Sequence, residues 1–207
     1  MNTKEKILDA ALDLFSVHGY EDTSVAEIAA AVGIKAPSLY KHYRSKQEIF
    51  GAILHKIEEQ YLQQAAMLHL DGISPALDAG RYENLSDQEL VSMVLQMFRF
   101  FCRDPYASRC RKMLILEQYH STEAAELYKN QYFASPIAYQ SSLFRRLTEA
   151  GVFATADPET TALQFYGPIF MLLQLCDAAP QQIPEAEEML RKHVLTFYRT
   201  HRQEAEK

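Results

Sequence analysis

Cysteine is scarce in this sequence, and long apolar runs are absent. The three cysteines, Cys102, Cys110 and Cys176, include no CxxC pair, which argues against a disulfide framework and against a cysteine-based metal site. No apolar run approaches the roughly 20 residues that a bilayer-spanning helix needs. The N-terminal stretch MNTKEKILDAAL lacks the long apolar region of a signal peptide. We therefore expect a soluble, cytoplasmic protein with no membrane partner.

The usual sequence signatures of catalysis are also missing. We find no GxSxG, P-loop, HExxH or GxGxxG motif, and no defensible pair of catalytic carboxylates. His120, His193 and His201 have no partner at a spacing typical of metal ligands. The sequence therefore predicts that the protein is not an enzyme and has no catalytic residues, no bound metal and no cofactor.

Helix start signals recur along the chain, whereas alternating strand patterns do not. Capping boxes place Asn or Ser three residues before Glu at Asn2, Ser24, Ser45 and Ser86. Three further starts place proline after a capping residue, at positions 104–105, 135–136 and 157–158. These signals predict an all-α fold with helices at about 3–18, 24–31, 37–43, 46–69, 86–103, 106–118, 122–133, 136–150, 159–177 and 185–202. The stretch 71–85 is rich in turn formers and is expected to be a loop.

The segment 24–46, SVAEIAAAVGIKAPSLYKHYRSK, has the pattern of two helices around a tight turn. Apolar side chains share one face of the first helix, and Gly33 can adopt the positive φ that a sharp helix end requires. Leu39 and Tyr43, four residues apart, give the second helix an inward face. This is the packing pattern of a helix-turn-helix.

The outward side of the second helix suits the major groove of DNA. Residues 35–46 contain four cations and no Asp or Glu, although the whole chain has a net charge of −6. Small side chains would let the helix approach base edges, and the cations would neutralise phosphates. The candidate DNA contacts are Thr23, Ser24, Lys35, Ala36, Ser38, Tyr40, Lys41, His42 and Lys46.

A continuous segment from Ile7 to Phe50 carries many residues at characteristic fixed spacings. They include the apolar pattern of the first helix ending in Phe15, Gly19-Tyr20, Thr23, the IAxxxG turn at 28–33 and SLYxHYxSK at 38–46. In these positions the chain resembles the TetR/AcrR-type bacterial transcriptional regulators. The resemblance covers about a fifth of the chain.

The resemblance implies a fold and a function. It implies a three-helix DNA-binding head, residues 1–48, on a larger helical body, residues 49–207, for ligand binding and dimerisation. It also implies that residues 35–38 and 40–42 face DNA, which adds Pro37 to the candidates, and that Tyr40 and Lys46 contact phosphates. Members of the family are usually repressors that a small molecule releases from DNA.

The last two predicted helices are candidates for a dimer interface. The helix at 159–177 is apolar nearly all round, and such a helix must be buried on more than one side. In a two-fold dimer the two helices of each copy would form a four-helix interface, whereas the alternative is a purely intramolecular core. The candidate dimer residues are Phe165, Ile169, Leu172, Leu173, Leu190, Val194 and Phe197.

The middle of the predicted body is rich in aromatic residues. A pocket there would favour an apolar, aromatic or cationic small molecule. Glu117 lies inside an apolar helix, where it could pair with a cationic ligand or form a structural ion pair with Arg111 or Arg145. The candidate ligand contacts are Phe98, Phe101, Tyr106, Glu117, Tyr132, Tyr139, Phe165, Tyr166 and Phe170.

Three functional hypotheses follow from these features. The leading one is a homodimeric repressor that binds double-stranded operator DNA and is released by a small, largely apolar effector. The alternative is a DNA-binding regulator without a small-molecule ligand, controlled by a protein partner. An enzyme with a vestigial DNA-binding head is the third. It would require a polar constellation in the body, for which the sequence offers only scattered candidates such as Glu117 and His120.

Overall fold

The computed structural model describes residues 2–203, apart from the side chain of Glu123. The helices in this range are α1 (Thr3–His18), α2 (Val25–Val32), α3 (Ala36–Leu39), α4 (Lys46–Met67), α5 (Pro75–Glu83), α6 (Asp87–Arg103), α7 (Pro105–Glu117), α8 (Thr122–Lys129), α9 (Ser135–Glu149), α10 (Pro158–Ala178) and α11 (Ile183–His201). A π-helical turn, Asn130–Ala134, joins α8 to α9, and a short 3-10 helix, Pro180–Gln182, precedes α11. The predicted all-α class is confirmed.

Side-chain caps begin several helices at the positions that the sequence predicts. Asn2 and Ser24 each accept a hydrogen bond from the N–H three residues later, and the glutamate at that position bonds back to the cap. The N–H and hydroxyl of Ser24 lower the pKa of Glu27 below its ordinary value. Asp104 and Asp157 cap α7 and α10 ahead of proline. These starts are local in origin, since each cap satisfies amides that lack a partner inside the helix.

The chain forms two compact units, and each is assembled from two segments. The first unit contains residues up to Gln60 together with Asp104–Tyr128, and the second contains Tyr61–Arg103 together with the chain from Lys129. In the first unit α1 packs against both α2 and α7, and α2 packs against α3. The division into functional parts at residues 48 and 49 stays a prediction.

The second unit has its own core. In it α10 packs against α9, α11 and α6, and α11 also packs against α6. The ring of Phe144 lies 5.4 Å from Phe153, 5.5 Å from Phe165 and 5.4 Å from Phe197, measured between centroids. All four rings are buried, so this aromatic cluster fixes the middle of the unit.

The stretch 71–85 is not the loop that the sequence predicts, because α5 occupies Pro75–Glu83. The buried carboxylate of Asp78 accepts hydrogen bonds from the N–H groups of Asp71 and Gly72 and from the hydroxyl of Tyr139. Gly72 has a φ of 73°, a conformation that favours glycine. The turn formers therefore make a tight turn that leads into a helix.

Two other predicted boundaries need correction. The helices expected at 122–133 and 136–150 are joined by the π-helical turn, and α9 has no side-chain cap at its start. The pair Ser135-Pro136 therefore continues a helical segment instead of opening one. The second helix of the helix-turn-helix, expected at 37–43, is α3 and ends at Leu39.

We predict that Asp78→Ala lowers the free energy of unfolding by at least about 2 kcal/mol, since three partly buried hydrogen bonds, from two amides and one hydroxyl, lose their acceptor. Urea denaturation followed by circular dichroism measures the change. Asp22→Ala, at an exposed position, is the control and should shift the value by less than about 0.5 kcal/mol. Equal stability of the two variants would contradict the role assigned to Asp78.

Among residues 2–203, no helix combines the length and the apolar character needed to cross a membrane.

Candidate nucleic-acid interface

The turn between α2 and α3 is built around Gly33. Its φ of 75° and ψ of 28° lie in the left-handed region. Its N–H donates to the carbonyl of Ala30, and the N–H of Ile34 donates to the carbonyl of Ala29. A Cβ added at Gly33 would meet no atom within 4 Å, so the demand for glycine comes from backbone conformation alone.

Leu39 and Tyr43 anchor the segment that follows this turn. Leu39 is fully buried and Tyr43 is nearly so, as their spacing predicts. Burial raises the pKa of the Tyr43 hydroxyl to about 12. Beyond the end of α3, the N–H groups of His42 and Tyr43 both donate to the carbonyl of Leu39. The helical path therefore continues as turns through the residues that the sequence assigns to the second helix.

The side of α3 that points away from these anchors is open to solvent. Lys35, Pro37, Tyr40, Lys41 and His42 are exposed, and Ala36 and Ser38 are partly exposed. We call residues 35–38 and 40–42 the recognition face. The face contains cations, hydroxyls and small side chains, and no acidic residue. Such a surface can pair with phosphates and approach base edges.

Lys46 does not lie on the recognition face. Its Nζ donates to the carbonyls of Tyr20, Glu21 and Thr23 at 2.7, 3.2 and 3.0 Å. The same Nζ lies 4.2 Å from the centroid of the Tyr20 ring. A lysine ammonium has three N–H donors, and three backbone carbonyls lie within hydrogen-bond distance of them. The phosphate contact of Lys46 stays a prediction. Lys46 thus ties the loop after α1 to the start of α4.

Thr23 and Ser24 also bond within the protein. Thr23 is buried, and its hydroxyl donates to the carbonyl of Gly19. The hydroxyl of Ser24 is exposed but bonds to the carboxylate of Glu27. The hydroxyl of Thr23 is thus buried and hydrogen-bonded, whereas Ser24 lies at the surface, and both DNA contacts stay predictions.

The loop after α1 has contacts that the sequence analysis did not identify. The hydroxyl of Tyr20 donates to the side chain of Gln47, and its ring lies 5.2 Å from Phe15 and 5.1 Å from Phe50. Its N–H donates to a carboxylate oxygen of Glu117. The pair Gly19-Tyr20 in the resemblance was the available sequence signal, but nothing in it points to a partner 97 residues away.

The candidate ligand contacts are divided between the two units. Tyr106 and Glu117 belong to the first unit, where the buried hydroxyl of Tyr106 donates to the carbonyl of Ile53. The other seven belong to the second unit, where Phe98, Tyr132 and Phe165 are buried and Phe101, Tyr139, Tyr166 and Phe170 are partly buried. Glu117 accepts a hydrogen bond from a backbone N–H, and its pairing with a cationic ligand, Arg111 or Arg145 stays a prediction.

Two cavities lie in the first unit. The larger, of about 360 Å³, is lined by one face of α1 and by the end of α2. The smaller, of about 20 Å³, is lined by Glu117 together with Tyr20, Gln47, Phe50, Ser121 and Ala124. Neither is lined by the aromatic ligand candidates. Within the described part of the chain, no three His, Cys, Asp or Glu side chains are grouped as metal ligands.

The candidate dimer residues turn out to be mostly internal. Six of them are buried in the core of the second unit, and only Ile169 is partly exposed: Phe165, Leu172, Leu173, Leu190, Val194 and Phe197. The most exposed large apolar side chains of α10 and α11 are Leu163, Met171 and Met189, exposed by 62%, 56% and 45%. The dimer role of the six buried residues and the homodimer itself both stay predictions.

Comparison of sequences identifies relatives of the N-terminal segment. Residues 7–53 match the family model described as bacterial regulatory proteins, tetR family. The repressor ComR of Escherichia coli is 39% identical over 66 residues, which cover 32% of this chain and 30% of ComR. The negative regulator IcaR of Staphylococcus epidermidis is 49% identical over 47 residues, which cover 23% of this chain and 25% of IcaR. The match thus spans less than a third of either relative.

Comparison of structures extends the similarity to the whole fold. The complex of SmeT with triclosan has a TM-score of 0.71 at 17% identity, covering 99% of this chain and 94% of SmeT. A second SmeT structure, of the repressor of the Stenotrophomonas maltophilia multidrug efflux pump SmeDEF, has a TM-score of 0.65 at 20% identity, with 99% and 93% covered. A regulator from Mesorhizobium loti has a TM-score of 0.67 at 19% identity, with 97% of each chain covered. At such identities the likeness is one of fold.

Proposed function

We propose that this chain, which belongs to the TetR family of bacterial regulatory proteins, is a transcriptional repressor that binds operator DNA as a homodimer. The observation that carries the proposal is the recognition face, a basic and solvent-exposed surface beside a left-handed glycine turn. The family model describes regulators and not enzymes. The related proteins ComR and IcaR are both named as transcriptional repressors or negative regulators.

In this proposal some residues of the recognition face contact bases and others contact phosphates. Ala36 and Ser38 are small enough to lie against base edges, where a hydroxyl can donate or accept. Lys35 and Lys41 neutralise phosphates, and the hydroxyl of Tyr40 hydrogen-bonds one. Pro37 and His42 complete the surface. Thr23 and Lys46 serve it indirectly, because their polar groups hold the preceding loop.

A homodimer would present two recognition faces to one side of the duplex. Successive major grooves on one side of B-DNA are roughly 34–36 Å apart, which fits a palindromic operator. The outward apolar side chains Leu163, Met171 and Met189 are the parts of α10 and α11 that a second copy can cover. In this proposal residues 1–48 bind DNA and residues 49–207 provide dimerisation and effector binding.

The effector in this proposal is a small, largely apolar molecule. It stabilises a conformation of the dimer in which the two DNA-binding heads no longer fit adjacent major grooves. The complex of SmeT with triclosan, a similar fold with a bound small molecule, supports it. Control by a protein partner is the second candidate, since Phe98, Tyr132 and Phe165 pack as core side chains. A small-molecule library that raises the melting temperature favours the first candidate, whereas a response only to a protein partner favours the second.

A gel-shift titration with the DNA flanking the protein's own gene tests the core of the proposal. A discrete shift at nanomolar protein that weakens as salt rises is the expected result, because phosphate contacts release counterions. A folded chain that binds this DNA no more tightly than a random duplex of equal length, and that selects no sequence from a randomised pool, would refute it.

Substitutions on the recognition face should separate phosphate contacts from base contacts. We predict that Lys41→Ala weakens binding to all sequences by a similar factor and reduces the salt slope by about one per subunit, or about two for the dimer. Ser38→Ala should instead change the preferred bases at one operator position. Lys192→Ala, an exposed lysine on α11, is the matched control and should leave both unchanged. If Lys41→Ala and Ser38→Ala change the sequence preference in the same way, the separation into phosphate contacts and base contacts is contradicted.

A further inference from the structure

Residues 19–23 form the loop between α1 and α2, and polar groups of opposite charge hold it from two directions. A carboxylate oxygen of Glu117 accepts the N–H of Tyr20. The ammonium of Lys46 donates to the carbonyls of Tyr20, Glu21 and Thr23. Tyr20 thus has an anion on its N–H and a cation on its carbonyl. All of these residues belong to the first unit.

Glu117 occupies a position that does not favour a carboxylate. It is the last residue of α7 and only 1% exposed. A negative charge is unfavourable at the C-terminal end of a helix, and burial adds a desolvation cost. Its second carboxylate oxygen, Oε2, has no hydrogen-bond partner among the described residues. The bond from Tyr20 is therefore the contact that offsets these costs, and a charge-assisted bond is about twice as strong as a neutral one.

Gly19 makes this close approach possible. Its φ is 87°, and a Cβ at this position would lie 2.9 Å from Oε1 of Glu117. A side chain would both strain the backbone and push the carboxylate away from Tyr20. Glycine is therefore favoured at position 19 for two independent reasons, the positive φ and the close contact with Glu117.

We infer that Glu117 is a positioning residue for DNA binding, in that its carboxylate holds the α1–α2 loop against Lys46 and so fixes the start of α2. The loop leads directly to Ser24, the cap of α2, and α2 packs on α3 beside the recognition face. The inference rests on the proposed function. It also goes beyond the matched segment, because Glu117 lies 64 residues after the end of the family match at residue 53.

Three variants of the full chain test this role. Glu117→Ala removes the acceptor, and Glu117→Gln keeps an oxygen there without the charge. Tyr119→Ala, at an 81% exposed side chain two residues further on, is the control. With affinities referred to the folded fraction, we expect Glu117→Ala to bind operator at least about tenfold more weakly. Glu117→Gln should recover most of that loss, and Tyr119→Ala should match the unchanged protein.

Amide hydrogen exchange without DNA gives a second measurement that does not depend on the proposed function. Exchange at Tyr20 should accelerate at least about tenfold in Glu117→Ala, while amides in the middle of α1 keep their protection. If the unchanged protein binds operator and Glu117→Ala binds equally well, the positioning role is refuted. If the unchanged protein binds no DNA, the proposed function fails. Separately, if Glu117→Ala leaves the exchange rate of the Tyr20 amide unaltered, the anchoring of the loop by Glu117 is refuted.

Discussion

A chain carrying both Leu163→Glu and Met171→Glu is expected to be monomeric and to lose at least about 100-fold in operator affinity. In a dimer, binding of one subunit to its half-site holds the other subunit close to the second half-site, and a monomer loses this advantage. Both side chains are more than half exposed on α10. In a two-fold interface each patch meets its own copy, so the substitutions place four like charges in a surface that excludes water. Light scattering and a gel-shift titration measure the two effects.

The control for this variant adds the same charge elsewhere. The control variant carries Gln181→Glu and Thr200→Glu. Both positions are exposed, and neither lies on α10. Both double variants should keep the circular dichroism of the unchanged chain, because neither touches the core. A stable dimer of the α10 variant with full affinity would show that a second copy docks on a different surface.

A fragment that ends at Gln60 is expected not to fold, although it contains the whole segment that matches the family model. It lacks α7, which packs along α1 and buries Cys110, Met113 and Leu114 completely. A chain of about 60 residues buries little surface and is marginally stable, so the absence of one core helix is expected to unfold it. The fragment should show no cooperative thermal transition by circular dichroism and no operator shift.

Polar contacts of α7 strengthen this expectation. The guanidinium of Arg109 bonds to the carboxylates of Asp9 and Asp13 on α1, at 2.7 Å for Asp9. The hydroxyl of Tyr106 reaches the carbonyl of Ile53 on α4. A single chain that joins residues 1–60 to residues 104–128 through a flexible linker is the matched control and should melt cooperatively. Cooperative melting of the shorter fragment would show instead that α7 is dispensable.

The features that sequence could predict are those fixed by neighbours along the chain. Asn2, Ser24 and Ser86 begin helices because each cap and its glutamate are three residues apart. Leu39 and Tyr43 face the core because one helical turn separates them. The recognition face follows from the same spacing, since residues between buried positions must point outward. Most of the recognition face was therefore predictable from local sequence spacing.

The features that sequence could not predict depend on distant partners. The turn before α5 relies on Asp78, whose carboxylate is bonded by Tyr139, 61 residues away. An α10 that is apolar nearly all round contains no signal to separate the core side of Phe165 from the outer side of Leu163. The partner of Glu117 is a backbone N–H, which no pattern of side chains identifies.

The assembly of the first unit from two segments also sets an order of events during synthesis. The last residues of its second segment, near Tyr128, are added 68 residues after Gln60. At about 5–20 residues per second, a ribosome needs roughly 3–14 seconds to make that stretch. Until then the first unit that carries the recognition face is incomplete. If the proposed function holds, a nascent chain therefore binds DNA only after the first segment of the second unit has been synthesised.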